Sequence, residues 1–340
     1  MLPFGALFHI LLFGLPWMHC LTEMPAVPLS ENTKHPGSSP VFFSRSSVER
    51  RREEEYNGFN DLLRVLFSPT VSVQNIHPLE GHLHCLRLLI LSDGTRLLFK
   101  GSPMPATALL RQERSLLETE SRVLALLRQN ANPCIPQIFH YNSQRSIPEP
   151  AFLVRHYIPG LTLQAMATQL TVQEREDVDR SLGFLANMIG QHVAPTFGPL
   201  EQVTRGSGKR SWRDAFIALF ECTIRDAEDM FVHLPYTEIR HHLHRLAPAL
   251  EVITLPRLVV VDFGQPSQVL LNPISKQLSG IADFSHALWG DIFMAEVFDN
   301  PSSTLLEGFG LRQGQSKLGS IRQLLYVSYF LFMAYQECVR

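Results

Sequence analysis

Residues 84–100, HCLRLLILSDGTRLLFK, contain two apolar runs on either side of a tight turn. The turn, Asp93-Gly94, joins the runs, and both of its positions tolerate the positive φ angles of a two-residue hairpin. An earlier run of branched and apolar residues, Val71–Ile76, predicts a strand before these two, so that the strand ending at Lys100 is the third in chain order. We therefore expect a small antiparallel sheet whose third strand ends at Lys100.

Helix and strand patterns continue on both sides of these strands. Apolar residues at helical spacing predict one helix over 47–67 and another over 106–129. Two more strand patterns follow at 135–141 and 151–157. Together these elements predict five strands and two helices in an N-lobe formed by residues 47–157.

The chain becomes mainly helical after Pro159-Gly160. Helices are predicted at 173–192, 211–231, 236–249 and 320–339, and short strands at 252–261, 269–271 and 278–283. Residues 158–340 are therefore expected to form a larger, mainly helical C-lobe. The predicted fold class is α+β with two lobes, and the cleft between two lobes is the default place for a ligand site.

The composition excludes several classes of protein. Of 340 residues, 45% are hydrophobic and 18% are charged, as in globular rather than disordered proteins. The formal net charge of −2 provides no bulk attraction for nucleic acid or an anionic membrane, so we expect neither partner. Five dispersed cysteines without a Cys-x-x-Cys pair exclude a disulfide scaffold and a zinc ribbon, and they favour a reducing, cytoplasmic compartment.

Residues 1–46 differ from the rest of the chain. Residues 2–20 are mostly apolar but are interrupted by proline and glycine, and the first basic residue, Lys34, comes too late for a signal peptide's basic start. The remainder of the segment is polar and proline-rich, as in a flexible linker. The apolar part is an atypical signal or anchor, a disordered leader, or upstream sequence with the true start at Met18 or Met24. Composition does not separate these alternatives.

Two charged residues of the N-lobe stand out from their apolar surroundings. Lys100 ends the third strand, and Glu120 falls on the apolar face of the helix that follows. A buried carboxylate needs a partner, and Lys100 is the nearest candidate, although Glu113 lies near the same face and is a rival. A Lys–Glu pair beside a cleft can hold the phosphates of a nucleotide.

Two aspartates of the C-lobe follow short strand patterns. Asp262 follows the run Leu258–Val261, and Asp283 follows Gly280–Ala282. At the ends of neighbouring strands the two carboxylates are suited to act as one base and one Mg²⁺ ligand, and Gln268 between them offers a neutral oxygen. An aspartate after a strand is also a common turn or cap residue. The functional interpretation therefore depends on these residues occurring together with the Lys–Glu pair.

Four segments carry a resemblance to a known family. They are LFK at 98–100, TESRVL at 119–124, FLVRHYIPGLTL at 152–163 and GIADFSHALWGD at 280–291. In this order they resemble the aminoglycoside phosphotransferase family, which consists of small-molecule kinases with a protein-kinase-like fold. The last segment is the most specific, and it is more similar to fungal and actinobacterial members than to the antibiotic-resistance enzymes. The resemblance covers about residues 60–335.

The resemblance implies how the N-lobe would bind a nucleotide. Kinases of this fold transfer the γ-phosphate of ATP with the help of Mg²⁺, so ATP and Mg²⁺ are the implied cofactors. Lys100 would hold the phosphates, and Glu120 would orient Lys100. The backbone at Val154, His156 and Tyr157 would contact the adenine.

The resemblance also implies the chemistry of the C-lobe. Asp283 would bind Mg²⁺, and Asp262 would orient the hydroxyl of a small-molecule acceptor for attack on the γ-phosphate. The family motif has histidine two residues before this aspartate and asparagine five residues after it, where this chain has Val260 and Ser267. A one-residue insertion would bring Gln268 into the metal-binding position.

The departures from the motif keep a second hypothesis open. Counting back from Gln268 places Phe263 where the base is expected, and the loop that would cover the nucleotide, within 75–85, holds only Gly81. The glycine-poor loop implies weaker phosphate binding, and both departures favour a degenerate member of the family. The alternative to an active phosphotransferase is a catalytically silent kinase-like module that binds a nucleotide or a protein partner.

Overall fold

A computed structural model describes residues 45–67, 70–81, 83–104, 107–143, 151–311 and 319–339. The apolar segment at 2–20 lies outside these residues, and so does almost all of the predicted linker. A helix, α1, spans Arg45–Leu66. The chain consists of two compact units, and the boundary between them lies inside α1, between Glu55 and Tyr56. The unit that begins at Tyr56 contains all of the sequence motifs, and its fold is described below.

The N-lobe is built on an antiparallel sheet of five strands, as predicted, in the order β1-β2-β3-β5-β4. The strands are β1 Val73–Leu79, β2 Cys85–Leu91, β3 Arg96–Gly101, β4 Ile138–Asn142 and β5 Phe152–His156. Gly94, in the turn between β2 and β3, has a φ of 84°. Residues with a side chain rarely adopt this angle, whereas glycine adopts it readily. The predicted hairpin is therefore confirmed, but its turn is longer than the two residues predicted: β2 ends at Leu91, β3 begins at Arg96, and Asp93 does not share the positive φ of Gly94.

Side chains of β3 alternate between two faces of the sheet. Phe99 packs edge-on against Phe59 of α1 at 5.0 Å between ring centroids, and Leu63 completes this apolar layer. Leu98 and Lys100 occupy the alternate positions and line a cavity on the opposite face. The period of two along one strand thus separates the core residues from the site residues.

The helix after the sheet starts later than predicted. Helix α2 spans Leu116–Leu127 and follows a 3-10 turn at Arg111–Ser115, whereas the prediction began the helix at residue 106. The backbone N–H of Arg111 donates to Asp226 of the C-lobe at 3.0 Å. A bond to a distant side chain replaces the helical bond at this point, and the local sequence does not reveal that partner.

The C-lobe is mainly helical, as predicted. Its described helices are α3 Leu163–Met166, α4 Val172–Gly190, α5 Leu200–Thr204, α6 Trp212–Asp229, α7 Tyr236–Leu246, α8 Ser303–Phe309 and α9 Ser320–Val339. Its described strands are β6 Leu161–Thr162, β7 Gly198–Pro199, β8 Arg257–Val260, β9 Val269–Leu271, β10 Leu278–Ile281 and β11 Ala287–Gly290. They form the sheets β10-β9-β6 and β7-β11-β8. No helix in the described part of the chain is long and apolar enough to cross a membrane.

Several strands of the C-lobe differ from the sequence prediction, and the short strands β6 and β7 were not predicted. The strand expected over 252–261 is limited to β8, because the pairing with β11 ends where Arg257 faces Gly290. Strand β11 itself was not predicted. It pairs with both β7 and β8, so its extended form depends on two segments that are distant in sequence.

Four residues, here called the core cluster, join helices α6 and α9 to the end of β11: Trp212, Asp291 and Tyr326, which are buried, and Arg322, which is partly buried. Asp291 accepts a hydrogen bond from the hydroxyl of Tyr326 at 2.7 Å and forms an ion pair with Arg322 at 3.2 Å. The same hydroxyl accepts the indole N–H of Trp212 at 2.8 Å. Burial raises the pKa of Asp291. The core cluster therefore satisfies a buried carboxylate while it connects three elements.

Candidate active site

A cavity of about 750 Å³ lies between the five-stranded sheet and the C-lobe, where the two-lobe prediction placed a cleft. Its volume is typical of small-molecule sites. Leu86 and Leu98 of the sheet form part of one wall, and Phe330 and Met333 of α9 form part of another. Charged side chains converge between these apolar walls, which is the composition expected of a ligand site.

Lys100 joins two carboxylates at the cavity wall. Its ammonium nitrogen lies 2.8 Å from Oε2 of Glu120 and 2.8 Å from Oδ2 of Asp283. The predicted pairing of Lys100 with Glu120 is confirmed, whereas the rival Glu113 accepts the backbone N–H of Leu110 at 2.7 Å. Strand β3, helix α2 and the segment after β10 therefore meet at one cation.

Arg155 of β5 completes this group, and the sequence analysis did not single it out. Its Nε lies 3.0 Å from Oε1 of Glu120, and its Nη2 donates to the carbonyl oxygen of Ala282. We call Lys100, Glu120, Arg155 and Asp283 the cavity cluster. The available signal was an arginine inside an apolar strand pattern, because a buried guanidinium requires an anionic partner.

Positive and negative groups balance within the cavity cluster. Burial opposes the charge on Lys100, but Asp283 and Glu120 outweigh burial and raise the pKa of Lys100. Burial also opposes the charge on Asp283, but the ammonium of Lys100 holds the pKa of Asp283 well below its usual range. Burial dominates at Glu120 and raises its pKa despite Lys100. Asp283 is therefore a stable anion at the cavity wall and is suited to bind a cation.

Asp262 follows β8 and places its carboxylate at the cavity. Its Oδ2 lies 3.1 Å from Nδ1 of His286, and its buried Oδ1 has no hydrogen-bond partner among the described residues. Phe263 is only 2% exposed and belongs to the core. Of these two neighbouring positions, only Asp262 lines the cavity. The sequence analysis assigned no function to His286, because its proximity to Asp262 depends on strand pairing.

Gln268 lies beside the segment that leads to Asp283. The backbone carbonyl oxygen of Gln268 accepts a hydrogen bond from the N–H of Ala282 at 2.8 Å. Gln268 and Ser267 both line the cavity. Among the residues that the structure describes, no three His, Cys, Asp or Glu side chains gather into a metal cage. One carboxylate with neutral oxygens fits Mg²⁺, which binds few protein ligands and completes its shell with phosphate and water oxygens.

The segment predicted to contact adenine lies only partly at the cavity. Val154 is fully buried within the sheet and His156 is exposed, and neither lines the cavity, whereas Tyr157 and Ile158 do. The N–H groups of His156 and Tyr157 already donate to backbone carbonyls at 2.8 and 3.1 Å. Of the three residues predicted to contact adenine, only Tyr157 therefore lies at the cavity.

His84, in the loop between β1 and β2, is a further cavity residue that the sequence analysis missed. Its Nδ1 lies 3.0 Å from the carbonyl oxygen of Gly101, so Nδ1 carries the hydrogen. Its Nε2 is buried and has no partner in the described part of the protein. Burial, followed by the charge of Lys100, lowers the pKa of His84 to about 4. His84 is therefore neutral near pH 7.

Known structures share the architecture of this chain, although no family profile and no curated protein matches its sequence. A mutant of aminoglycoside 2′-phosphotransferase-IIIa in complex with GDP has 21% identity and a TM-score of 0.53, with 84% of this chain and 91% of that chain covered. A thermostable mutant of aminoglycoside phosphotransferase APH(4)-Ia, in a complex with AMP-PNP and hygromycin B, has 18% identity and a TM-score of 0.53 over 82% and 95% of the two chains.

A third structure, the streptomycin–ATP complex of APH(2″)-IIa, has 13% identity and a TM-score of 0.51 over 83% of this chain and 87% of that chain. At these identities the likeness shows the fold. The chain has the protein-kinase-like fold of the aminoglycoside phosphotransferases, which confirms the predicted fold. The closer similarity to fungal and actinobacterial members stays a prediction.

Proposed function

We propose that the protein is a phosphotransferase that transfers the γ-phosphate of ATP to a hydroxyl of a small molecule. The observation that carries this proposal is the bridge from Lys100 to Glu120 and Asp283 at the wall of a cavity. The three neighbours compared above are phosphotransferases with GDP, AMP-PNP or ATP bound, and two of them also hold an aminoglycoside.

Lys100 is the residue best placed to bind the phosphates of ATP. An ammonium group has three N–H donors, and Glu120 and Asp283 use two of them, so one remains for a phosphate oxygen. Arg155 contacts the second oxygen of Glu120 and thereby holds this carboxylate in place. The adenine would lie against the part of the cavity wall that Tyr157 and Leu98 form.

Asp283 and the amide of Gln268 would hold Mg²⁺. When bound, Mg²⁺ supplies positive charge that offsets the charge developing on the β- and γ-phosphates. Lys100 keeps the carboxylate of Asp283 ionised, which is the form that binds a cation. The N–H of Ser285 donates to Oδ1 of Asp283 at 2.8 Å and restrains the rotation of this carboxylate.

Asp262 is the proposed base. Its unpartnered Oδ1 would accept the hydrogen of the acceptor hydroxyl and take the proton as the hydroxyl oxygen attacks the γ-phosphorus. A buried acceptor oxygen without a protein donor is costly, and a ligand hydroxyl would remove that cost. The orientation of Asp262 therefore supports a role toward a second, hydroxyl-bearing ligand.

A catalytically silent nucleotide-binding module is the second candidate function. The observation that favours it is Ser267, which stands where the family has a metal-binding asparagine and is exposed at the cavity. If Gln268 does not take over the metal contact, nucleotide binds without transfer. The two candidates therefore share nucleotide binding and differ in turnover.

Thermal unfolding of the 340-residue chain with ATP and Mg²⁺ tests nucleotide binding. A ligand that binds only the folded state stabilises it by about 2.7 kcal/mol at 100 times its Kd. We expect this rise in the melting temperature to be lost in Lys100→Ala and kept in the matched control Lys209→Ala, whose side chain is exposed. No rise for the wild-type protein at saturating ATP would overturn both candidate functions.

Release of ADP and transfer of label from γ-³²P-ATP to water and to a panel of hydroxyl compounds test turnover. We expect Asp262→Asn to keep the nucleotide-dependent rise in melting temperature and to lower turnover by about 10²- to 10⁴-fold. Nucleotide binding without any turnover by the wild-type protein would favour the silent module.

A further inference from the structure

His286 reaches Asp262 through strand pairing. Strand β11 runs antiparallel to β8, with Ala287 opposite Val260, and the N–H of Val261 donates to the carbonyl oxygen of His286 at 2.7 Å. This register places the imidazole next to the carboxylate that follows β8. Val260 occupies the position of the family's histidine before Asp262, and the imidazole beside Asp262 belongs to the residue that immediately precedes β11.

The contact with His286 gives the two carboxylate oxygens of Asp262 different surroundings. Oδ2 lies 3.1 Å from Nδ1 of His286, whereas Oδ1 is buried and has no partner among the described residues. The Asp262 side chain is 12% exposed and the His286 side chain is 31% exposed, and both residues line the cavity. Holding one oxygen restricts rotation of the carboxylate and leaves the other oxygen for a ligand.

Charged groups on several elements act on the imidazole of His286. Burial disfavours its charged form, but the hydrogen bond and charge of Asp262, followed by the charge of Asp283, raise the pKa of His286 to about 9, although Lys100 opposes them. His84, in the loop between β1 and β2, also interacts electrostatically with His286. Near pH 7 the imidazole therefore carries both hydrogens, and Nδ1 is the donor to Oδ2.

We propose that His286 is the positioning residue of the base: its Nδ1–H holds Oδ2 of Asp262 so that Oδ1 faces the acceptor hydroxyl. This inference rests on the proposed phosphotransfer. In that step the acceptor oxygen forms a bond to the γ-phosphorus, and the bond from this phosphorus to the bridging oxygen breaks. The electron pair of the broken bond stays on ADP, and the hydroxyl proton passes to Oδ1 of Asp262.

Two substitutions of His286 separate positioning from a general structural role. His286→Leu removes the donor, and His286→Asn keeps an N–H donor at a position close to that of Nδ1. With ADP release from ATP and Mg²⁺ as the assay, we expect His286→Leu to lower kcat by about 10- to 100-fold and to leave the KM for ATP unchanged. We expect His286→Asn to recover most of that loss. His244→Leu, on the exposed face of α7, is the matched control.

The pH profile provides a readout that a structural role would not move. Loss of the proton from His286 weakens a charge-assisted hydrogen bond, so kcat of the wild-type protein is expected to fall at alkaline pH as His286 loses its proton. His286→Asn has no proton to lose, and its kcat should not show that fall. An equal fall in both proteins would overturn the positioning role.

A double-mutant cycle tests whether His286 acts through Asp262. In the Asp262→Asn background, where the carboxylate is gone, His286→Leu should lower the residual kcat by less than about two-fold. The full 10- to 100-fold loss in that background would overturn the inference. Wild-type turnover that is unchanged in His286→Leu would overturn it as well and leave the proposed function intact. Absence of turnover by the wild-type protein would overturn the phosphotransferase proposal, and the inference with it.

Discussion

The cavity cluster and the core cluster bury charge to a similar extent, but only the cavity cluster presents charged groups to a cavity. Glu120 is 0% exposed and Asp291 is 3% exposed, and each carboxylate has a basic partner. The core cluster joins elements of the C-lobe through one carboxylate and its donors. The cavity cluster joins the sheet, α2 and the segment after β10, and two of its members, Lys100 and Asp283, face the cavity with bonding capacity to spare. Burial of charge alone therefore does not identify a functional site, whereas unused bonding capacity at a cavity does.

Breaking the core cluster should produce the largest change in stability. Asp291→Leu leaves Arg322 without its carboxylate and removes the acceptor for the Tyr326 hydroxyl. Loss of one partner of a buried ion pair costs about 3–5 kcal/mol, and urea unfolding should report a decrease of that size. At a temperature where Asp291→Leu is folded, its ATP affinity should equal that of the wild-type protein. A reduced affinity would erase the distinction between the two clusters.

Breaking the cavity cluster should affect turnover more than folding. Lys100→Met removes the group proposed to hold the phosphates, and loss of one such electrostatic contact costs about 10²- to 10³-fold in kcat. Glu120 keeps Arg155 as a partner, at 3.0 Å, which limits the loss of stability. Steady-state ADP release and urea unfolding of Lys100→Met, with Lys209→Met as control, measure the two effects. A loss of stability as large as that of Asp291→Leu with little loss of turnover would make the cavity cluster structural.

The pair of Asp262 and His286 should make stability depend on pH in the absence of nucleotide and metal. The folded-state pKa of His286, about 9, lies above the ordinary histidine value of 6.5. Its contribution to the free energy of unfolding is therefore complete below pH 6.5 and is lost as the pH rises toward 9. One pKa unit corresponds to about 1.4 kcal/mol, so the loss should be on the order of 1–3 kcal/mol. Urea unfolding between pH 6 and 10 measures it, and the dependence should flatten in Asp262→Asn.

An exposed ion pair supplies the smallest expected effect. Arg64 and Asp61 of α1 lie 2.9 Å apart, and their side chains are 66% and 72% exposed. Exposed pairs contribute about 0.2–1 kcal/mol because water and salt screen them. Arg64→Ala should therefore change the free energy of unfolding by less than about 1 kcal/mol and leave ATP binding unchanged. A larger change would show that pairing without burial also stabilises strongly, and burial would then no longer distinguish the two clusters from surface ion pairs.

The strands and the first ion pair of the site were within reach of sequence reasoning. Alternation and turn residues identified the hairpin at Asp93-Gly94, and the cost of an unpaired buried carboxylate paired Glu120 with Lys100. Arg155 lies in the strand that was used to predict the adenine contacts. Strand periodicity does not reveal which residue of a neighbouring element a long side chain will reach. The contact of Arg155 with Glu120 at 3.0 Å required the packing of α2 on the sheet.

By itself the sequence determined the α+β organisation and the site residues that mark the ends of strands, because these follow from local periodicity and from the chemistry of buried charge. Tertiary structure alone decided where α2 begins, that β11 is a strand, and that His286 meets Asp262. Each of these depends on a partner supplied by a distant segment: Asp226 for the start of α2, and the register between β8 and β11 for the contact at Asp262. Register is a property of two strands together, and neither strand encodes it alone.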